Sequence, residues 1–175
     1  HARVRLALAQ LYRRSGNTKA AKKHFNRAIA IEPTMGEAHA GLVLMLMESG
    51  VLTEAVAAAE KSEKLIGPVP AILDAKGRVL SQMNRYEDAT AAFLRAVELD
   101  PTFHYAWNNL GTLQMQRSDF KNAIVSFRKT LAIKDEDATF ANMAITLWRI
   151  CDWSDRDAVL KRVREIVETD ISSKR

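Results

Sequence analysis

Cysteine is almost absent from this chain. Cys151 has no second thiol to pair with and no Cys or His neighbour at metal-ligand spacing. An internal disulfide is excluded, and a small buried thiol in a reducing setting is expected. Proline and glycine are scarce, at four and seven, and aromatics make up 7% of the residues, while Ala, Leu, Lys, Arg and Glu are plentiful. That balance disfavours strands and predicts an all-α fold. No apolar run approaches the ~20 residues that span a bilayer. The best, Gly41 to Met47, is closed by Glu48, so a soluble chain with no membrane partner is expected. The chain opens on His1 without the charged, apolar and small-residue succession of a secretion signal. It reads as an internal fragment of a cytoplasmic or nucleocytoplasmic protein.

The patterns of catalysis are missing too. There is no phosphate-cradling glycine loop, no pair of histidines at ligand spacing and no serine in a nucleophile elbow. His24, His39 and His104 are dispersed along helical stretches, where surface or packing roles are expected. No catalytic residue, metal ligand or cofactor is predicted. The formal charge of +5 and pI near 9.5 raise the question of nucleic acid. The cations are scattered, with Lys22, Lys23 and Arg27 near one end and Arg156, Lys161, Arg162 and Arg164 near the other. No aromatic residues interleave with them for base stacking, so no nucleic-acid partner is expected.

What the chain does have is a period. Gly16, Gly50, Asn84, Ser118 and Asp152 are small or turn-forming residues at intervals of 34. Ala21, Ala55, Ala89 and Ala123 keep the same phase, as do Phe25, Ala59, Phe93 and Phe127. Pro33 and Pro101 close the first and third units, and Gly67, followed by Pro68 and Pro70, closes the second. A fixed period of this length means stacked supersecondary units. Residues three and four apart, such as Leu8 with Leu11 and Tyr12, or Leu110 with Leu113, make one apolar stripe per helix. Small residues at Gly77, Gly111, Ala89 and Ala123 allow close backbone approach, and the phenylalanines fill the space between helices. One such hairpin cannot bury its apolar face alone, so neighbours must stack.

These residues resemble the tetratricopeptide repeat family. The third unit carries Leu73, Gly77, Leu80, Tyr86, Ala89, Phe93, Ala96 and Pro101; the fourth carries Trp107, Leu110, Gly111, Ala123 and Phe127. Lys76, Gln114 and Asp135 depart from the family's Leu, Tyr and Pro. The resemblance implies an all-α, right-handed superhelical solenoid of antiparallel helix pairs. Its units would span 2–35, 36–69 (degenerate), 70–103, 104–137 and 138–171 (degenerate, or capping), in one continuous domain. It further implies a module that binds a partner protein or extended peptide in a concave groove.

From residue 138 the pattern degrades, with Asp157 where Ala is expected and Lys161 where Phe is expected. A final helix from about Ser154 to Thr169, N-capped by Ser154 with Asp157 as acidic partner, is predicted. The stretch Cys151-Asp152-Trp153-Ser154-Asp155 resembles the junction between repeats and catalytic region in the O-linked N-acetylglucosamine transferase and SPINDLY-like glycosyltransferase family. That resemblance implies a parent enzyme that transfers a sugar to Ser or Thr of intracellular proteins, with this chain as its substrate-selecting arm. The family also carries an asparagine ladder on the concave face. Only Asn109 falls at that position, where Ala7, Gly41, Ala75 and Met143 stand in the other units; Asn108 and Asn142 lie one residue earlier.

Helical spacing places Asp74, Arg78, Tyr105, Asn108, Asn109, Thr112, Asn142, Thr146 and Arg149 on the inner surface as partner-binding candidates. Arg78, Asn108 and Asn109 offer fragments of a carboxylate clamp of the tetratricopeptide co-chaperone type, but Asp74 would repel a carboxylate. Exposed apolar residues of the terminal helix, or the convex face, offer surfaces for self-association.

Overall fold

Four times among the described residues a helix is turned back within three residues, each time by the same backbone device. In the computed structural model, which describes residues 1–152, 154 and 156–173, the elements are α1 (Ala2–Arg14), α2 (Thr18–Ile31), α3 (Gly36–Glu48), α4 (Leu52–Ile66), α5 (Pro70–Gln82), α6 (Tyr86–Leu99), α7 (His104–Gln116), α8 (Phe120–Ile133), α9 (Asp137–Arg149) and α10 (Arg156–Ser173). Among the described residues there is no strand. Gly16, Gly50, Asn84 and Ser118 all take positive φ, between 60° and 77°. The following amide then donates to the carbonyl five residues back, as in Asn17 to Tyr12 (2.9 Å) and Asp119 to Gln114 (2.8 Å). This satisfies a helix-end carbonyl that would otherwise lack a partner.

The chain gathers into two compact units, His1–Ala106 and Trp107–Arg175. In the first, α1 packs on α2, α3 on α4 and α5 on α6, while α3 also lies against α2, and α5 against α3 and α4. Leu6, Ala9, Phe25, Val43, Ala59, Ile72 and Val79 form its buried centre. The packing is complementary in volume. Phe93 lies so close over Gly77 that a Cβ there would meet its Cε1 at 2.6 Å, and Phe25 crowds Gly41 in the same way. Where the unit carries Ala59 in place of Phe, Val43 takes the place of Gly77, and both are fully buried. His39 is inside as well, 4% exposed, with Nε2 2.9 Å from the Pro33 carbonyl and Nδ1 2.8 Å from the Ser62 hydroxyl. It ties the loop before α3 to α4, a packing role.

In the second unit Phe127 closes on Gly111, where a Cβ would meet its ring at 2.8 Å. Gln114, standing at the family's tyrosine position, accepts a hydrogen bond from Ser126 at 2.7 Å. Phe140, Met143 and Leu147 of α9 join Phe127 in the core.

The last hairpin explains why the repeat pattern fades there. Helix α9 begins at Asp137, 33 residues after α7 begins at His104, and so runs one residue ahead of the 34-residue phase. The positive-φ position is accordingly Cys151 (φ 53°), not Asp152, and the Asp152 amide donates to Leu147 at 3.1 Å. Cys151 is exposed, contrary to the buried thiol expected, because it occupies the turn itself. Phe140, Met143, Ala144 and Leu147 thus fill the places of Trp107, Leu110, Gly111 and Gln114. Helix α10 begins at Arg156, 36 residues after α8 begins at Phe120, behind a longer loop. Val159, Val163 and Ile166 then stand where α8 has Ala123, Phe127 and Thr130; the polar Asp157 and Lys161 are a register effect.

Ser154 does not cap α10. Its amide and hydroxyl donate to Asp152 Oδ1 at 3.1 and 2.7 Å, and the helix starts two residues later and extends to Ser173. Trp153 and Asp155 of the junction motif lie outside the described residues.

Candidate functional site

The inner-surface candidates divide between the two units. In the first, Asp74 on α5 is buried (6% exposed), Arg78 is half-buried one turn on, and Tyr105 at the start of α7 is exposed, its ring 4.0 Å from that of His104 and 5.6 Å from that of Phe103. Burial of Asp74 keeps its carboxylate from forming an open acidic rim.

The second unit brings six candidates onto two helices. On α7, Asn108, Asn109 and Thr112 are half-buried. The Asn108 side-chain oxygen accepts from Thr139 of α9 at 3.0 Å, and its backbone carbonyl accepts from Thr112 at 2.9 Å. Asn108 therefore links α7 to α9, and Thr139, fully buried, is a residue the sequence reading did not single out. On α9, Thr146 is fully buried, and its hydroxyl donates back to the Asn142 carbonyl at 2.7 Å. The register shift is the cause, since one residue of advance puts Thr146 where α7 has the buried Leu113. Arg149 is exposed, with its guanidinium 5.8 Å from the Phe120 ring centre.

The same shift changes the ladder. Counted from helix starts, Asn142 is the sixth residue of α9 and Asn109 the sixth of α7. Met143, which a strict 34-residue count puts at that place, turns instead into the core. Two successive first helices thus carry asparagine at one structural position. Each offers an amide donor and an acceptor, the pair an extended backbone presents in reverse.

A second feature lies beside it. Between α9 and α10 a groove of about 300 Å³ opens, walled by Ala144, Ile145, Trp148, Val159, Leu160 and Val163. Trp148 is 71% exposed and Ile145 52%. In the hairpin of α7 and α8, Phe127 fills the corresponding gap; Val163 is too short to do so. Arg162 anchors α10 instead, paired with Asp135, 3.6 Å from Asp137, and 4.3 Å from the centre of the Phe140 ring. Asp135 and Asp137 hold its guanidinium above its ordinary range.

Among the described residues no group of three or more His, Cys, Asp or Glu is placed to hold a metal ion, and no helix is long and apolar enough to cross a membrane.

Comparison with known proteins matches the chain to the tetratricopeptide repeat family over residues 2–45 and again over residues 75–138. Over 171 residues it is 25% identical to a human protein named protein O-mannosyl-transferase TMTC1, covering 95% of this chain and 18% of that protein. Over 152 residues it is 29% identical to the type IV pilus assembly protein PilF of Pseudomonas aeruginosa, covering 83% of this chain and 58% of that protein. It therefore spans under a fifth of the first relative and just over half of the second. The solved structure of P. aeruginosa PilF superposes with a TM-score of 0.76 at 24% identity, covering 90% of this chain and 72% of that one. The thermophilic protein TTC0263 of Thermus thermophilus gives 0.76 at 16%, covering 98% and 94%. YrrB, described as having an unusual peptide-binding site, gives 0.63 at 18%, covering 95% and 86%.

Proposed function

Because the chain belongs to the tetratricopeptide repeat family, we propose that it is a protein-interaction module whose α7–α9 surface holds an extended segment of a partner polypeptide. The observation that carries this reading is the equivalence of Asn109 and Asn142 on successive first helices. Asn108 positions them by joining the two helices through Thr139. Thr112 and Arg149 border the surface, while Arg78 and Tyr105, but not the buried Asp74, are the contributors proposed for the first unit's own surface. That one structure of this fold is described as peptide-binding supports the class of ligand.

The test is a peptide selected from a displayed library, measured by fluorescence anisotropy. Asn109→Ala and Asn142→Ala are each expected to weaken binding about three- to tenfold, the loss of one net hydrogen bond of ~1 kcal/mol. Thr146→Val, which alters only a buried hydroxyl, leaves affinity unchanged. Wild-type affinity in both asparagine variants would sink the proposal.

A second reading, the substrate-selecting arm of a protein glycosyltransferase, is favoured by the open apolar groove between α9 and α10, which a further domain would cover. The similarity to a protein O-mannosyl-transferase supports the same enzyme class. The parent gene decides it: a continuation past Arg175 that encodes a sugar-donor-binding region supports this reading, and a stop codon there removes it. A cytoplasmic location is proposed under both readings, to be checked with a fluorescent fusion of the whole parent protein.

A further inference from the structure

The positive charge of this protein is concentrated in one hairpin. Residues 2–31, which make up α1 and α2, contain Arg3, Arg5, Arg13, Arg14, Lys19, Lys22, Lys23 and Arg27 and no Asp or Glu, so the rest of the chain is on balance acidic. Two of the eight are neutralised from outside, Arg13 by Glu48 and Lys22 by Glu54. Arg5, Lys23 and Arg27 make no ion pair among the described residues, and together with His24 they line a hollow of about 160 Å³ on this hairpin. Three cations around one small space raise the local positive potential, which an anion entering it would lower.

The arrangement is particular to the first hairpin. At intervals of 34 the place of Arg5 is taken by His39, Leu73 and Trp107, that of Lys23 by Ala57, Ala91 and Val125, and that of His24 by Ala58, Ala92 and Ser126. The place of Arg27 holds a cation in every unit, as Lys61, Arg95 and Lys129, so what sets the first hairpin apart is the addition of Arg5, Lys23 and His24 beside it. The His24 ring is held by stacking on Tyr12, with centroids 5.3 Å apart and planes 24° apart, and its Nδ1 is sealed from solvent without a hydrogen-bond partner.

We propose that Arg5, Lys23, His24 and Arg27 form a binding site for a dianionic phosphate monoester. Two guanidinium forks and an ammonium suit a tetrahedral oxyanion, and one carboxylate would leave most of the cationic charge uncompensated. A nucleic-acid strand fits less well, because the hollow is small and the Tyr12 ring is already stacked on His24. The site draws on no residue of the α7–α9 surface, so its fate is separate from that of the proposed peptide site.

The experiment is NMR titration of the whole chain, labelled at arginine, lysine and histidine side chains, at constant ionic strength. The probes are inorganic phosphate, a phosphoserine peptide, its unphosphorylated counterpart, acetate, and single-stranded DNA. Saturable shifts of His24, Arg5 and Arg27 with phosphate and with the phosphopeptide, at least tenfold tighter than with acetate or the unphosphorylated peptide, support the site. Phosphopeptide tighter than phosphate assigns the ester to a modified protein; equal affinities assign a small-molecule ester. Arg27→Ala, at an exposed position where folding is retained, should lower phosphate affinity at least fivefold, and Lys19→Ala should not. Shifts no greater with phosphate than with acetate, an unaltered affinity in Arg27→Ala, or DNA binding at these residues more tightly than either phosphate probe would overturn the proposal.

Discussion

At Gly111 the absence of one methyl group decides whether a hairpin closes. A Cβ there would meet Phe127 Cδ1 and Cε1 at 2.8 Å, and Phe127 is fully buried with nowhere to retreat. Gly111→Ala gains helix propensity of ~1 kcal/mol, but overpacking of this kind costs roughly 1–3 kcal/mol. The expected outcome is a lower urea midpoint that recovers in the double variant with Phe127→Leu; an unchanged midpoint would show that the ring yields. Polar residues at two chain reversals act through charge. The Asp100 carboxylate accepts from the Thr102 hydroxyl at 2.6 Å and its amide at 2.9 Å, and Asp152 accepts from Ser154 in the same way. Hydrogen bonds from Thr102 and Ser154 hold the two carboxyls below the usual range. A carboxyl whose folded pKa is depressed stabilises the fold above its unfolded pKa and loses that contribution as pH falls through the folded value. Thr102→Val should therefore be less stable than wild type at about pH 7 and closer to it at an acidic pH below the usual carboxylate range. Denaturant unfolding at the two pH values checks this.

Among the elements, the turns carry a small strain that can be relieved. Ser118 takes φ 63° between α7 and α8, where Gly16 and Gly50 serve the first two hairpins. The left-handed region costs a side-chain-bearing residue roughly 1 kcal/mol, so Ser118→Gly is expected to raise stability by up to about that amount in thermal unfolding. The same turns show how far sequence reading reaches. Gly16, Gly50, Asn84 and Ser118 were legible because a positive φ demands small or amide residues, and those recur in strict phase. Cys151 was not, because nothing in its side chain marks a left-handed residue, and its φ of 53° and the hydrogen bond from Asp152 to Leu147 emerge only in the folded chain. That one-residue advance also hid the equivalence of Asn142 with Asn109 and the burial of Thr146. The hollow at Arg5, Lys23, His24 and Arg27 went unread for a related reason. Cations from two helices look scattered in sequence until the hairpin brings them together.

Over the whole chain, stability is expected to be distributed unevenly. His1–Ala106 holds a continuous core from Ala2 to Val79, whereas Trp107–Arg175 leaves Ile145, Trp148, Leu160 and Val163 exposed along the open groove. Repeat arrays lose all-or-none behaviour when neighbouring segments differ in stability. All three tryptophans, Trp107, Trp148 and Trp153, belong to the second unit by sequence. Tryptophan fluorescence should thus report an earlier urea transition than far-UV circular dichroism, which averages over every helix. Coincident transitions would show that the two units unfold as one.

The sequence by itself determined the all-helical class, the 34-residue period, the four turn residues and the pairing of phenylalanine with small residues, because each follows from local backbone preference or side-chain volume repeated in phase. Only the tertiary structure decided the register of α9, the depth of Asp74 and Thr146, the opening between α9 and α10 and the convergence of three cations on one hollow. Those depend on which helix faces meet, and a shift of one residue turns a side chain through about 100° of helix.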